Sequence, residues 1–147
     1  MPSFRIQVSE LQMQFEFLIP KRPVSLQTRP RSKLQDWQAF VRAEASKTWV
    51  GTPYSGNVHL ALVYLYDADP VDTDNIIKPI QDALIGLVYE DDSLVTDVED
   101  HRRSLSDTFD VALCPSLLVR GIISGSDCVY VRINSAKALE SYLWPLN

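Results

Sequence analysis

The sequence predicts an α+β fold. It is one domain over residues 1–147, a small mixed sheet packed by two main helices, in the order β-α-β-α-β-β. Three observations carry this. Residues 57–66 alternate without a break and are apolar on both faces, which marks a strand inside a sheet. Residues 33–49 and 73–88 place apolar side chains at helical spacing. A chain of 147 residues, 46% hydrophobic and 22% charged, has the balance of one globular core.

The elements follow in order. Residues 4–19 read as strand, with Phe15, Phe17 and Ile19 on one face. Ser32 is suited to cap the first helix, whose apolar stripe is Leu34, Trp37, Phe40, Val41 and Ala45. Trp37 and Trp49 are expected in the core. In the strand at 57–66, Val58, Leu60, Leu62, Tyr64 and Tyr66 share one face, and His59, Ala61, Val63 and Leu65 the other. His59 is read as a structural histidine. The second helix buries Ile76, Ile77, Ile80, Ala83, Leu84 and Leu87. Its Pro79 is tolerable near the N-terminus, where N–H groups lack intrahelical acceptors anyway. Residues 94–105 read as a polar strand, and 128–133 as a strand that closes the sheet. Between them, 115–122 fits a short helix in an ambiguous segment, and 135–143 reads as a C-terminal helix.

Composition excludes several function classes. No apolar run approaches the ~20 residues that span a bilayer. Residues 1–10 lack the basic-then-apolar pattern of a secretory signal, so the expected location is cytoplasmic. Cys114 and Cys128 have no metal-ligand spacing and are expected to be buried as small apolar residues. Two histidines without neighbouring ligands argue against zinc. There is no glycine-rich phosphate loop and no Gly-x-Ser-x-Gly.

Charge is unevenly spread. The net charge is −5, yet residues 67–110 hold 13 acids and 3 bases, leaving the rest of the chain mildly basic. Residues 21–33 carry five bases, two prolines and no acid. Such a basic, extended loop suits contact with a phosphate backbone through Lys21, Arg22, Arg29, Arg31 and Lys33. It is equally an ordinary solvated connection.

The acids concentrate at both ends of the second helix: Asp72 and Asp74 before it, Glu90, Asp91 and Asp92 after it. A hard cation such as Mg²⁺ takes one or two carboxylates together with waters and substrate phosphate. Asp72 and Asp74, on a strand-to-helix loop, can aim at one point, and Asp92 can return as a third. Lys78 lies one turn beyond Asp74 on a polar stripe that continues to Asp82. It could neutralise charge on a reacting phosphate. It could also hold crowded carboxylates apart when no metal is bound. An aspartate at a helix N-terminus favours the helix dipole by a few tenths to about 1 kcal/mol. That explains one of these acids and leaves the others unexplained.

The run Asp72-x-Asp74-Asn75, then Lys78, Asp82-Ala83-Leu84, Gly86 and Asp91-Asp92 resembles the signature of the RusA-type Holliday-junction resolvases. The resemblance is specific over about residues 58–98. It implies a homodimeric, Mg²⁺-dependent endonuclease, with Mn²⁺ as a substitute, that makes paired symmetric nicks across four-way branched DNA in recombination and repair. It implies Asp72, Asp74 and Asp92 as metal ligands with Asp91 as a weaker candidate, and Lys78 as a catalytic lysine. It assigns Asn75 and Asp82 to structural support. On this reading Arg102 and Arg103 join the basic loop as DNA contacts. Two alternatives share the fold: a branched-DNA or protein-binding module that does not cut, and a metal-dependent nuclease on other nucleic acids.

Overall fold

A computed structural model describes residues 12–143. The start of the expected first strand, residues 4–11, lies outside the described residues. The chain forms β1 (Gln14–Ile19), α1 (Arg31–Ser46), β2 (Val58–Tyr66), α2 (Asp74–Ala83), β3 (Val95–Ser104), α3 (Ser116–Ser124) and β4 (Cys128–Ser135). The sheet runs β1-β4-β2-β3. β2 and β3 are parallel, while β4 is antiparallel to both β1 and β2. This is the mixed α+β architecture that the periodicities predict.

β2 lies inside the sheet, as its two apolar faces require. One face of the sheet carries Phe17, Ile19, Leu60, Leu62, Tyr64, Val129, Val131 and Ile133, all buried against α1 and α2. α1 presents Leu34, Trp37, Val41 and Ala45 to that core. α3 covers one end of the opposite face, where a Cβ on Gly121 would lie 2.9 Å from the Cys128 sulfur and 3.2 Å from Leu18.

Several boundaries differ from the expectations. α1 starts at Arg31, after Pro30, so Ser32 lies inside the helix and makes no capping bond. Trp49 falls beyond the helix, half-buried, with its ring edge-on to Phe15 at 5.1 Å. α2 stops at Ala83, well short of residue 88. Gly86 turns the chain with φ +76°, and its N–H donates to the Tyr89 carbonyl at 2.7 Å. Leu84 and Val88 are buried in that turn rather than on a helix. The segment before β4 is helical, which adds α3 to the expected order. β4 does not close the sheet at an edge; it inserts between β1 and β2. No regular helix forms over 135–143. β4 continues to Ser135, and a single 3₁₀ turn follows at Leu139–Ser141. Cys128 is buried, but Cys114 is only half-buried.

Candidate active site

The acids cluster where β2 gives way to α2. The loop between them is held from both ends by one small network. Asp127, just before β4, accepts from the Asp67 N–H at 2.9 Å, from the Tyr64 hydroxyl at 3.1 Å and from Arg22 at 3.0 Å. The same Tyr64 oxygen accepts from the Val71 N–H at 3.4 Å. Arg22 also donates to the carbonyls of Ala68 at 3.2 Å and Asp69 at 2.5 Å. Asp69 takes φ +49°, a left-handed conformation that asparagine and aspartate tolerate best among side-chain-bearing residues. The loop therefore leaves β2 in a fixed direction and delivers Asp72 and Asp74, both exposed, at the start of α2.

Pro79 lies inside α2 and lacks the N–H that would reach back to the Asn75 carbonyl. That carbonyl accepts from the Leu26 N–H instead, at 2.9 Å. The proline's missing donor thus becomes the docking point of the basic 21–33 loop on the first turn of α2. At the other end of α2, Arg42 of α1 donates to the carbonyls of Ala83 at 3.2 Å and Ile85 at 2.7 Å. A cation belongs there, against the negative end of the helix.

One turn beyond Asp74, the Lys78 ammonium bridges two carboxylates, Asp82 Oδ1 and Asp92 Oδ2, each at 2.8 Å. Asp82 first, and Asp92 next, hold its pKa above the usual lysine value. Asp92 is brought back to α2 by its neighbours. Gln81 donates to the Asp92 carbonyl at 3.4 Å, and the fully buried Tyr89 donates to the Gln81 carbonyl at 2.5 Å. Burial, with Asp82 and Asp92 close by, pushes the Tyr89 phenol up. Asp91 points elsewhere. It caps the 3₁₀ turn Asp92–Leu94, accepting from the Ser93 N–H at 3.2 Å and the Ser93 hydroxyl at 2.5 Å. The Ser93 hydroxyl and N–H hold its carboxyl below the usual aspartate range.

β3 adds an acid that the sequence reading did not single out. Asp100 pairs in register with the buried Leu62, on the face that α2 covers. Both its carboxylate oxygens are closed off from solvent and meet no hydrogen-bond partner among the described residues. Burial pushes the carboxyl up to about 6; His101 opposes the rise, Asp74 adds to it and Arg102 opposes it. Period-two alternation puts Asp100 on the same face as Val98, and only the pairing with Leu60 and Leu62 of β2 shows that this is the core side.

The basic candidates are divided. Lys21 lies over the Phe40 ring at 4.9 Å, and Arg22 is taken up by the loop network. Arg29, Arg31 and Lys33 are exposed at the start of α1. Arg102 faces the site, donating to the Val71 carbonyl at 3.4 Å, while Arg103 pairs with Leu65 on the opposite face. His59 is also on that opposite face, 3.1 Å from Glu99, in keeping with a structural role.

Of the site candidates the structure brings Lys78, Asp82 and Asp92 into contact; Asp72 and Asp74 lie exposed at the start of the same helix, and Asp100 on β3. Among the described residues, no three His, Cys, Asp or Glu side chains are arranged as a ready metal site. The arrangement combines carboxylates, a bridging lysine and a basic loop, which is the equipment of a phosphodiester hydrolase. The family model for endodeoxyribonuclease RusA matches residues 19–108, from the end of β1 to just past β3. That span is more than half of the chain, and the protein belongs to this family. It is therefore a nuclease of DNA by descent. No curated protein matches it.

Proposed function

We propose that the protein is a Mg²⁺-dependent, structure-specific endonuclease that resolves four-way DNA junctions by paired symmetric nicks, acting as a homodimer in recombination and repair. The observation that carries this is the placement of Asp72 and Asp74 on a braced loop at the start of α2, with Asp92 returned to the same helix.

The donor set fits a hard divalent cation: oxygen ligands only, and a carboxylate, Asp100, whose buried oxygens meet no compensating donor among the described residues. Asp72, Asp74 and Asp92 would hold the ion, and Mn²⁺ would substitute for Mg²⁺. When bound, the metal supplies an activated water and charge stabilisation at the leaving oxygen. The remaining work belongs to the chain. Lys78, one turn beyond Asp74, would offer its ammonium to the phosphate. The basic 21–33 loop, docked at Asn75 next to the acids, is the wall along which the DNA backbone runs. Arg102 lies on the same side.

Asp74→Asn keeps the geometry and removes one ligand charge. The expected result is intact gel-shift binding to a synthetic four-way junction with cleavage abolished. If the wild-type protein binds the junction but neither Mg²⁺ nor Mn²⁺ supports cutting, the protein is a binding module of the same fold.

A further inference from the structure

We propose that Asp100 is an additional ligand of the divalent cation held by Asp72 and Asp74, reaching it from β3 rather than from the loop and helix that carry the family pattern. The inference rests on the metal reading above and extends it to a residue outside the 72–92 signature.

Asp100 occupies the middle of a strand, opposite Leu62, at a position where the sheet's helix-covered face is otherwise apolar across β2. A carboxylate whose two oxygens are both shut off from water is costly unless a counter-charge or donors meet it. Every base nearby is otherwise engaged. Arg102 is directed at the Val71 carbonyl at 3.4 Å and lies 5.9 Å over the Tyr66 ring. His101 is on the opposite face, 3.3 Å from Glu99. Lys78 is held by Asp82 and Asp92. Among the described residues, Asp100 forms no ion pair and no hydrogen bond through its carboxylate, and Arg102, two residues further on the same face of β3, reaches the Val71 carbonyl beside Asp72. A dry carboxylate without a partner, on the side of the sheet where the Asp72–Asp74 loop is held, matches the oxygen preference of a hard divalent ion. A strand-mounted ligand would also fix the ion against the sheet more firmly than a loop alone.

The test is calorimetric titration of the full chain with Mn²⁺, combined with thermal unfolding with and without Mg²⁺. Asp100→Asn removes the charge and little else. Its unfolding temperature without metal is expected to stay at or above that of the wild type, since a buried unpaired charge has gone. Its Mn²⁺ affinity is expected to fall about tenfold or more, and the Mg²⁺-induced rise in unfolding temperature to shrink with it. Asp97→Asn, on the opposite face of the same strand, serves as the control and should bind Mn²⁺ like the wild type. If Asp100→Asn binds Mn²⁺ as tightly as the wild type, the proposal is wrong while the metal reading stands. A lower unfolding temperature of Asp100→Asn without metal also overturns it, because Asp100 would then be paired within the protein. If the wild type binds no Mn²⁺, the metal reading fails and this proposal with it.

Discussion

Lys78 is the residue on which the site's charge balance turns. Its ammonium stands 2.8 Å from each of Asp82 and Asp92, and on their account stays protonated well above neutral pH. Lys78→Met removes the strut and the phosphate-facing cation together. Cleavage is expected to fall roughly a hundredfold, while Mn²⁺ affinity holds or tightens because Asp92 is set free. Parallel kinetics and calorimetry check this, and a matching loss of metal affinity would make Lys78 a structural strut only. The i, i+4 spacing of Asp74, Lys78 and Asp82 made this stripe legible from sequence, because helix geometry is local. Asp100 was not legible in the same way. The face it takes follows from the register of β3 on β2, which pairs it with a residue 38 positions earlier. The cysteines supply a simpler test. Burial pushes the Cys128 thiol up to about 11, and its side chain is 1% exposed. With a disulfide reagent at neutral pH, Cys128 should react far more slowly than the half-buried Cys114. Two thiols reacting at the same fast rate would contradict this.

At the scale of elements, α2 shows where periodicity succeeds and where it overreaches. Its first ten residues form the predicted amphipathic helix. Leu84, Leu87 and Val88 continue the apolar spacing, yet Gly86 breaks the helix and the same side chains are packed by a turn. Burial alone cannot tell the two apart, whereas a positive φ at glycine can. Pro79 has a structural consequence that a breaker rule misses: the carbonyl it frees anchors the basic loop through Leu26. The loop network around Asp127 was equally hidden, since Arg22, Tyr64 and Asp127 are far apart in the chain. α3 depends on a close approach at Gly121. Gly121→Val places methyl groups against the Cys128 sulfur and Leu18, and should destabilise the protein by about 1–3 kcal/mol. Urea unfolding measures the loss, and an unchanged midpoint would show that α3 is not packed as described.

For the whole molecule, fold class was readable and sheet order was not. Alternation identified the strands one by one. Nothing local states that β4 enters between β1 and β2, because β1 and β4 pair across 110 residues or more. The consequence for function is that β2 is flanked by β4 and β3, which bring Asp127 and Arg102 to the loop that carries Asp72. Of the acids in residues 67–110, Asp72, Asp74, Asp82 and Asp92 flank or lie on α2, while Asp97 and Glu99 are on the opposite face of β3 from Asp100. No described helix is long and apolar enough to cross a membrane. Paired nicking requires two copies of the site on one junction. The most direct test is incubation of the purified protein with a synthetic four-way junction, with and without Mg²⁺, read on a denaturing gel with each strand labelled in turn. The account predicts Mg²⁺-dependent cuts at symmetric positions in two opposing strands, and none from Asp74→Asn. A junction left intact with Mg²⁺ or Mn²⁺, or equal cutting by Asp74→Asn, would contradict it.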